Sequence, residues 1–139
     1  MDASSRHLIF HGAIVLLFGL LCGAPYARAI KRNAPAHIVH AWRVAHLSLP
    51  IGATVMLAVA AVLSSMAAGA GLKWLIAISL IVSSYAFCFS LPLSATVGHR
   101  GLSAQGPLAA KLVYAGNLLG AWASALGSAV FIYAAYVSL

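Results

Sequence analysis

Apolar residues fill four long stretches of this chain, and nearly every polar or conformationally special residue falls between them or at their ends. The stretches run from Leu8 to Ala24, Ile38 to Ala68, Lys73 to Val97 and Leu108 to Val137. Each holds roughly 20 residues or more, enough at about 1.5 Å per residue to cross a hydrocarbon core of about 30 Å. The breaks have physical causes: Pro25 and the basic segment Arg28 to Pro35, then Gly69-Ala70-Gly71, then His99-Arg100-Gly101 with Gly106-Pro107. Short connections make neighbouring helices antiparallel. The pattern predicts an all-α, integral membrane four-helix bundle built as one domain over residues 1–139, with no internal repeat and no low-complexity tract.

Composition agrees with this reading. The chain is 63% hydrophobic and 6% charged, with Asp2 as its single acidic residue, far too little polar surface for a soluble globule. The start imitates a signal peptide, with Arg6, an apolar run and Ala27-Arg28-Ala29. The run nevertheless carries His11 and a Gly19 to Gly23 GxxxG spacing, which suit a retained, packed helix.

The net charge of +7 does not point to nucleic acid, because the basic residues form no independent soluble face. They sort by loop. Arg28, Lys31, Arg32 and Arg43 lie in or beside the first connection and Arg100 and Lys111 in or beside the third, against only Arg6 and Lys73 on the other side. The positive-inside rule then puts loops one and three in the cytoplasm and both termini outside.

Cys22 and Cys88 stand alone in apolar helices, without CxxC or the CxxCH of covalent haem attachment, and read as small buried hydrophobes. On the last helix Gly116, Gly120, Ser124 and Ser128 form a stripe of small residues that lets another helix approach, within the subunit or between subunits.

Six histidines against one carboxylate is the chemically odd balance. It excludes a catalytic carboxylate pair and removes the charged oxygen ligands that calcium needs. Neutral imidazole remains, suited to iron, copper or zinc. His7, His37, His40 and His99 lie near helix ends, where a polar group costs little, whereas His11 and His46 lie inside apolar runs. An ionisable group as deep as His46 is by default a candidate functional site. Trp42 shares its face at four-residue spacing and Arg43 borders it at three. A structural alternative for His46 is an interhelical hydrogen bond worth only about 1 kcal/mol.

His11 and His46 fall at different depths, because His46 is about 12 Å from the inner surface at 1.5 Å per residue while His11 is near the outer one. One axial histidine with an open sixth position is therefore simpler than a bis-histidine pair. An open position means chemistry at the metal, and two protein ligands usually mean electron transfer.

The segment His11-Gly12, the run Trp42-Arg43-Val44-Ala45-His46, the turn Arg100-Gly101-Leu102 and Gly106-Pro107 together resemble the styrene oxide isomerases, small four-helix proteins of the bacterial cell membrane. The resemblance implies haem b held without covalent links between the subunits of a homotrimer, with His46 as axial iron ligand. It implies isomerisation of an apolar aryl epoxide, drawn from the bilayer, to an aldehyde. In that reaction a ferric Lewis acid opens the carbon–oxygen bond, and a 1,2-hydride shift completes a Meinwald rearrangement.

The chain supplies matching surroundings: an apolar wall against water, and Arg43 and Arg100 as cations for haem propionates, with Trp42 and His11 near the cofactor as further candidates. Two family polar groups are missing. Gly52 stands where the family has an asparagine, and Phe87 or Leu91 where it has a third-helix tyrosine. Tyr85, Tyr114 and Asn117 are the candidates to replace them as catalytic hydrogen-bond donors, or else are ordinary interhelical polar residues. A haem electron carrier or sensor, and a structural or transport subunit without haem, remain the alternative functions.

Overall fold

The computed structural model describes all 139 residues and is wholly helical. Helix α1 spans Ala3–Leu21, α2 Gly23–Lys31, α3 Ala36–Leu63, α4 Ala70–Val97 and α5 Leu108–Tyr136. Helices α1 and α2 together make one continuous apolar element, so four helical segments are long and apolar enough to cross a membrane. This is a multi-pass membrane protein.

The expected boundaries shift in three places. Helix α1 starts five residues before Leu8, because Asp2 caps it by accepting the Ser5 N–H at 2.9 Å. Pro25 does not end the first span. The ladder breaks one turn earlier, at Cys22, and Pro25 falls in the first turn of α2, where its missing N–H has no ladder partner to lose. Arg28 and Lys31 are thus helical. Helix α3 stops at Leu63, short of Gly69, where Ser65 Oγ donates to the Val62 carbonyl at 2.7 Å and the chain turns. Gly69 instead opens α4 as its N-cap.

Neighbours run antiparallel, and the packing is uneven. Helix α1 lies along α3, and α5 along α4; α4 joins the two pairs by resting on both α3 and α1, each seam being thinner, and α5 packs along no helix but α4. The bundle is therefore open on one side, between α3 and α5.

Glycines set the register of α1 against α3. A methyl group at Gly19 would stand 2.5 Å from Pro50 Cδ and 2.8 Å from Leu49 Cβ, and one at Gly12 would meet Leu57 and Met56 at 3.3–3.4 Å. No side chain fits between the backbones at Gly19, which is how small residues hold helices together in lipid. Half of the α5 stripe behaves as expected: Gly116 packs on Ser90 and Gly120 on Phe87. The seam then continues through Gly127 on Ser79, while Ser124 and Ser128 turn toward the open side. Cys22 is buried at the α1–α2 break and Cys88 half-buried, both free thiols.

One end of the bundle is closed by a polar clasp. Asp2 pairs with Lys73 at 3.3 Å, its backbone N–H reaches Ser64 Oγ, and Ser64 Oγ donates to Ser5 Oγ at 2.9 Å. Partial burial alone would raise the Asp2 pKa, but the Ser5 N–H, the Ser5 and Ser4 hydroxyls and Lys73 together hold it well below the usual carboxylate range. A depressed folded-state pKa stabilises the fold at pH values above the unfolded-state pKa, about 3.9, and that stability is lost as pH falls below it. Because Asp2 is the only side-chain carboxylate, the melting temperature in detergent should decline below about pH 4 in the native protein and stay flat in Asp2→Asn. Equal acid sensitivity in both would remove the clasp from the account.

Candidate functional site

His46 sits half-buried on α3 and faces the joint between α1 and α2. Its Nδ1 lies 3.1 Å from the Gly19 carbonyl oxygen. Gly19 belongs to the last turn of α1, whose carbonyls a helix end leaves without intrahelical donors. A carbonyl can only accept, so Nδ1 carries the ring proton and Nε2 keeps the lone pair. A histidine that donates one nitrogen to a backbone carbonyl and presents the other is the usual arrangement of a metal-binding imidazole.

The ring is confined on its other sides. A methyl group at Gly23 would come within 3.0 Å of His46 Cε1, and the Tyr26 ring lies 6.1 Å away at 31°. The Gly19 to Gly23 spacing thus has two uses: the first glycine lets α3 come close, and the second leaves room for the imidazole. Pro50, one turn beyond His46, has no N–H to give the His46 carbonyl, which loosens α3 at this point. Trp42 packs against the core one turn before His46.

The other candidates lie elsewhere. His11 Nδ1 is paired with Tyr85 Oη at 2.9 Å, and His11 stacks on His7 at 5.9 Å. Gly12 meets Met56 while Gly23 meets His46, so eleven residues of the α1–α2 span, about 16 Å at 1.5 Å per residue, separate His11 from His46 along the bundle. Within one chain the two histidines cannot share a ligand of ordinary size, as their sequence depths led us to expect. Asn117 Nδ2 donates to the Arg100 carbonyl at 3.3 Å, and the backbone N–H of Tyr114 lies where a Gly101 side chain would be. These two residues hold the α4–α5 loop. Arg43 donates to His40 Nδ1 at 3.2 Å. Tyr85 lies apart from Tyr114 and Asn117, and none of the three shares a hydrogen bond or ring contact with His46.

A cleft of about 430 Å³ opens on the bundle's unclosed side, with α4 as its floor and α3 and α5 as its walls. Gly52, Phe87 and Leu91 all line it. The three positions singled out in the sequence as departures from the resemblance therefore meet in one place, which the linear sequence did not reveal. Space is left at Gly52, since a methyl group there would touch nothing within 4 Å. The polar groups of the cleft are hydroxyls. Ser83 and Ser84 are tied to the Gly120 carbonyl and Met56 Sδ, whereas Ser48 and Ser128 make no hydrogen bond. Sequence reading missed Ser48, although it lies four residues before Gly52 and so shares its face. Ser48, Gly52 and Val55 follow His46 by two, six and nine positions, which at about 100° per residue turns them roughly to the opposite side of α3.

The sequence model of the styrene oxide isomerase family matches residues 4–136. The chain belongs to the styrene oxide isomerase family. No curated protein matches it. Membership spans nearly the whole chain and makes an isomerase-type function the starting point for the site.

Proposed function

We propose that this protein isomerises an apolar aryl epoxide to the corresponding aldehyde, using haem b held through His46 Nε2. The observation that carries the proposal is the His46 hydrogen bond to Gly19, which leaves a fixed imidazole lone pair inside a membrane-spanning isomerase-family chain. Nowhere do three metal-ligating side chains converge, which disfavours a zinc or copper centre built from protein ligands alone. A porphyrin brings four nitrogens of its own and asks for one histidine. Tyr26 flanks the imidazole, Trp42 stands one turn before it on α3, and Arg43, three residues before it, is the nearest cation on α3 for a propionate.

Haem bound there supplies a Lewis-acidic iron for the epoxide oxygen. The rest falls to the chain. Gly19 holds the imidazole and raises its basicity through the Nδ1–H bond. The Leu, Val and Phe lining keeps water from the opened epoxide, so that a hydride shift competes with diol formation. The hydride moves within the substrate, and so no side chain has to act as acid or base, in keeping with a chain whose only carboxylate is tied to Lys73. With Gly52 and Phe87 in the cleft, no asparagine or tyrosine grips the oxygen, and the hydroxyls of Ser48 and Ser128 are the remaining donors.

His46 and the cleft lie on opposite sides of α3, and one copy cannot close both around a single substrate. We infer a homo-oligomer, a trimer by family resemblance, in which His46 of one copy works with the cleft of the next. A two-histidine electron carrier is the weaker reading, since His11 is taken by Tyr85.

The test is product analysis. Purified protein in detergent, given styrene oxide and larger aryl epoxides deuterated at the migrating position, should yield aldehydes that keep the label. Diols, or no conversion of any epoxide by haem-loaded protein, would defeat the isomerase reading.

A further inference from the structure

A second cavity, of about 600 Å³, lies at the basic end of the bundle, where the start of α3, the α4–α5 loop and α5 meet. His37, His40, His99, Arg100 and Asn117 line it. Arg43 donates to His40 Nδ1, so the other ring nitrogen of His40 carries the proton and is a free donor. Arg100 gives Asn117 only its backbone carbonyl; its guanidinium makes no hydrogen bond or ion pair. Asn117 Nδ2 is used on that carbonyl, while Oδ1 is buried and accepts nothing. A buried acceptor without a donor is a standing cost that a ligand hydroxyl would relieve.

No carboxylate answers these cations. Asp2 is the chain's only acidic residue and is committed to Lys73 at the opposite end of the bundle. The cavity also has an apolar side, formed by Ala41, Val44 and Leu91, and Leu91 belongs equally to the α3–α5 cleft. The lining therefore changes from cationic to apolar along the bundle axis, from the membrane rim inward. An anionic head with a hydroxyl, joined to a hydrocarbon chain, matches that order.

We propose that this cavity is a specific site for an anionic phospholipid of the phosphatidylglycerol kind. Its phosphate meets Arg100, His99 and His40 Nε2–H, and a headgroup hydroxyl donates to Asn117 Oδ1. Basic pockets between membrane helices recognise lipid headgroups through such charge-assisted bonds. His46 is not part of this cavity, which meets the α3–α5 cleft only at Leu91.

Native mass spectrometry of the purified full chain tests this, with dioleoyl phosphatidylglycerol, dioleoyl phosphatidylcholine and free glycerol 3-phosphate as probes. Phosphatidylglycerol should bind the native protein in preference to phosphatidylcholine. Arg100→Gln should weaken it roughly five- to tenfold, and Arg100→Lys should retain most of the binding. Lys31→Gln, an exposed basic residue of α2 outside the cavity, should change nothing. The Arg100 side chain is exposed and its carbonyl survives substitution, so unchanged melting temperatures will show that the variants are folded. Equal binding of the two lipids, equal loss in Lys31→Gln, or glycerol 3-phosphate binding as tightly as the lipid would each overturn the proposal. The first two would indicate diffuse attraction and the third a soluble ligand.

Discussion

Replacing His46 by alanine should remove the haem absorption band of the purified protein and cut epoxide conversion by about 10³-fold or more, the scale of removing a principal electrostatic contribution. The fold should survive. His46 is half-buried and makes one hydrogen bond, to a carbonyl at a helix end. Losing that bond costs about 1 kcal/mol. A variant with a native melting curve and no pigment would tie cofactor binding to this ring, and His46→Gln separates size from ligation, since glutamine fills similar space without an imidazole lone pair. A fully pigmented, active His46→Ala would end the axial-ligand assignment outright.

The second large effect is expected at a residue with no functional group. Gly19→Ala places a methyl group 2.5 Å from Pro50 Cδ and 2.8 Å from Leu49 Cβ. Neither can move aside, because the proline ring is rigid and Leu49 Cβ is fixed by the backbone of α3. The helices must separate, at an overpacking cost of about 1–3 kcal/mol, and the Gly19 carbonyl leaves His46 as they do. We expect lower thermal stability together with weakened haem retention. Gly52→Ala supplies the contrast, since its methyl group meets open space; it should leave both quantities near native. Comparable losses from the two substitutions would show that the close α1–α3 crossing is not what holds the imidazole.

The four spans were legible because bilayer thickness imposes a minimum length on any apolar run, and short loops leave antiparallel neighbours as the only economical arrangement. Their ends were less so. Pro25 looked like a terminator, yet a proline in a first turn breaks nothing, and only the Cys22 turn three residues earlier makes that its position. His46 stood out because an ionisable group deep in an apolar run is costly. Its partner was invisible: the Gly19 carbonyl belongs to the backbone, and its meeting with residue 46 depends on helix register. Tyr85 and Asn117 were selected as donors, but the Tyr85 hydroxyl is paired with His11, 74 positions away, and the Asn117 amide N–H with the Arg100 carbonyl. Gly52, Phe87 and Leu91 read as isolated departures until the fold put them on one cleft.

The uneven packing has a further consequence for how this molecule is made and how it yields. Each tight pair, α1 with α3 and α4 with α5, joins segments that follow one another in the chain, so a nascent hairpin finds its main partner as soon as it is synthesised. The finished protein is two hairpins leaning on each other, with α4 resting against both α3 and α1. The cleft lies across that joint, and so a small tilt of one hairpin against the other changes its width without disturbing either glycine-packed pair.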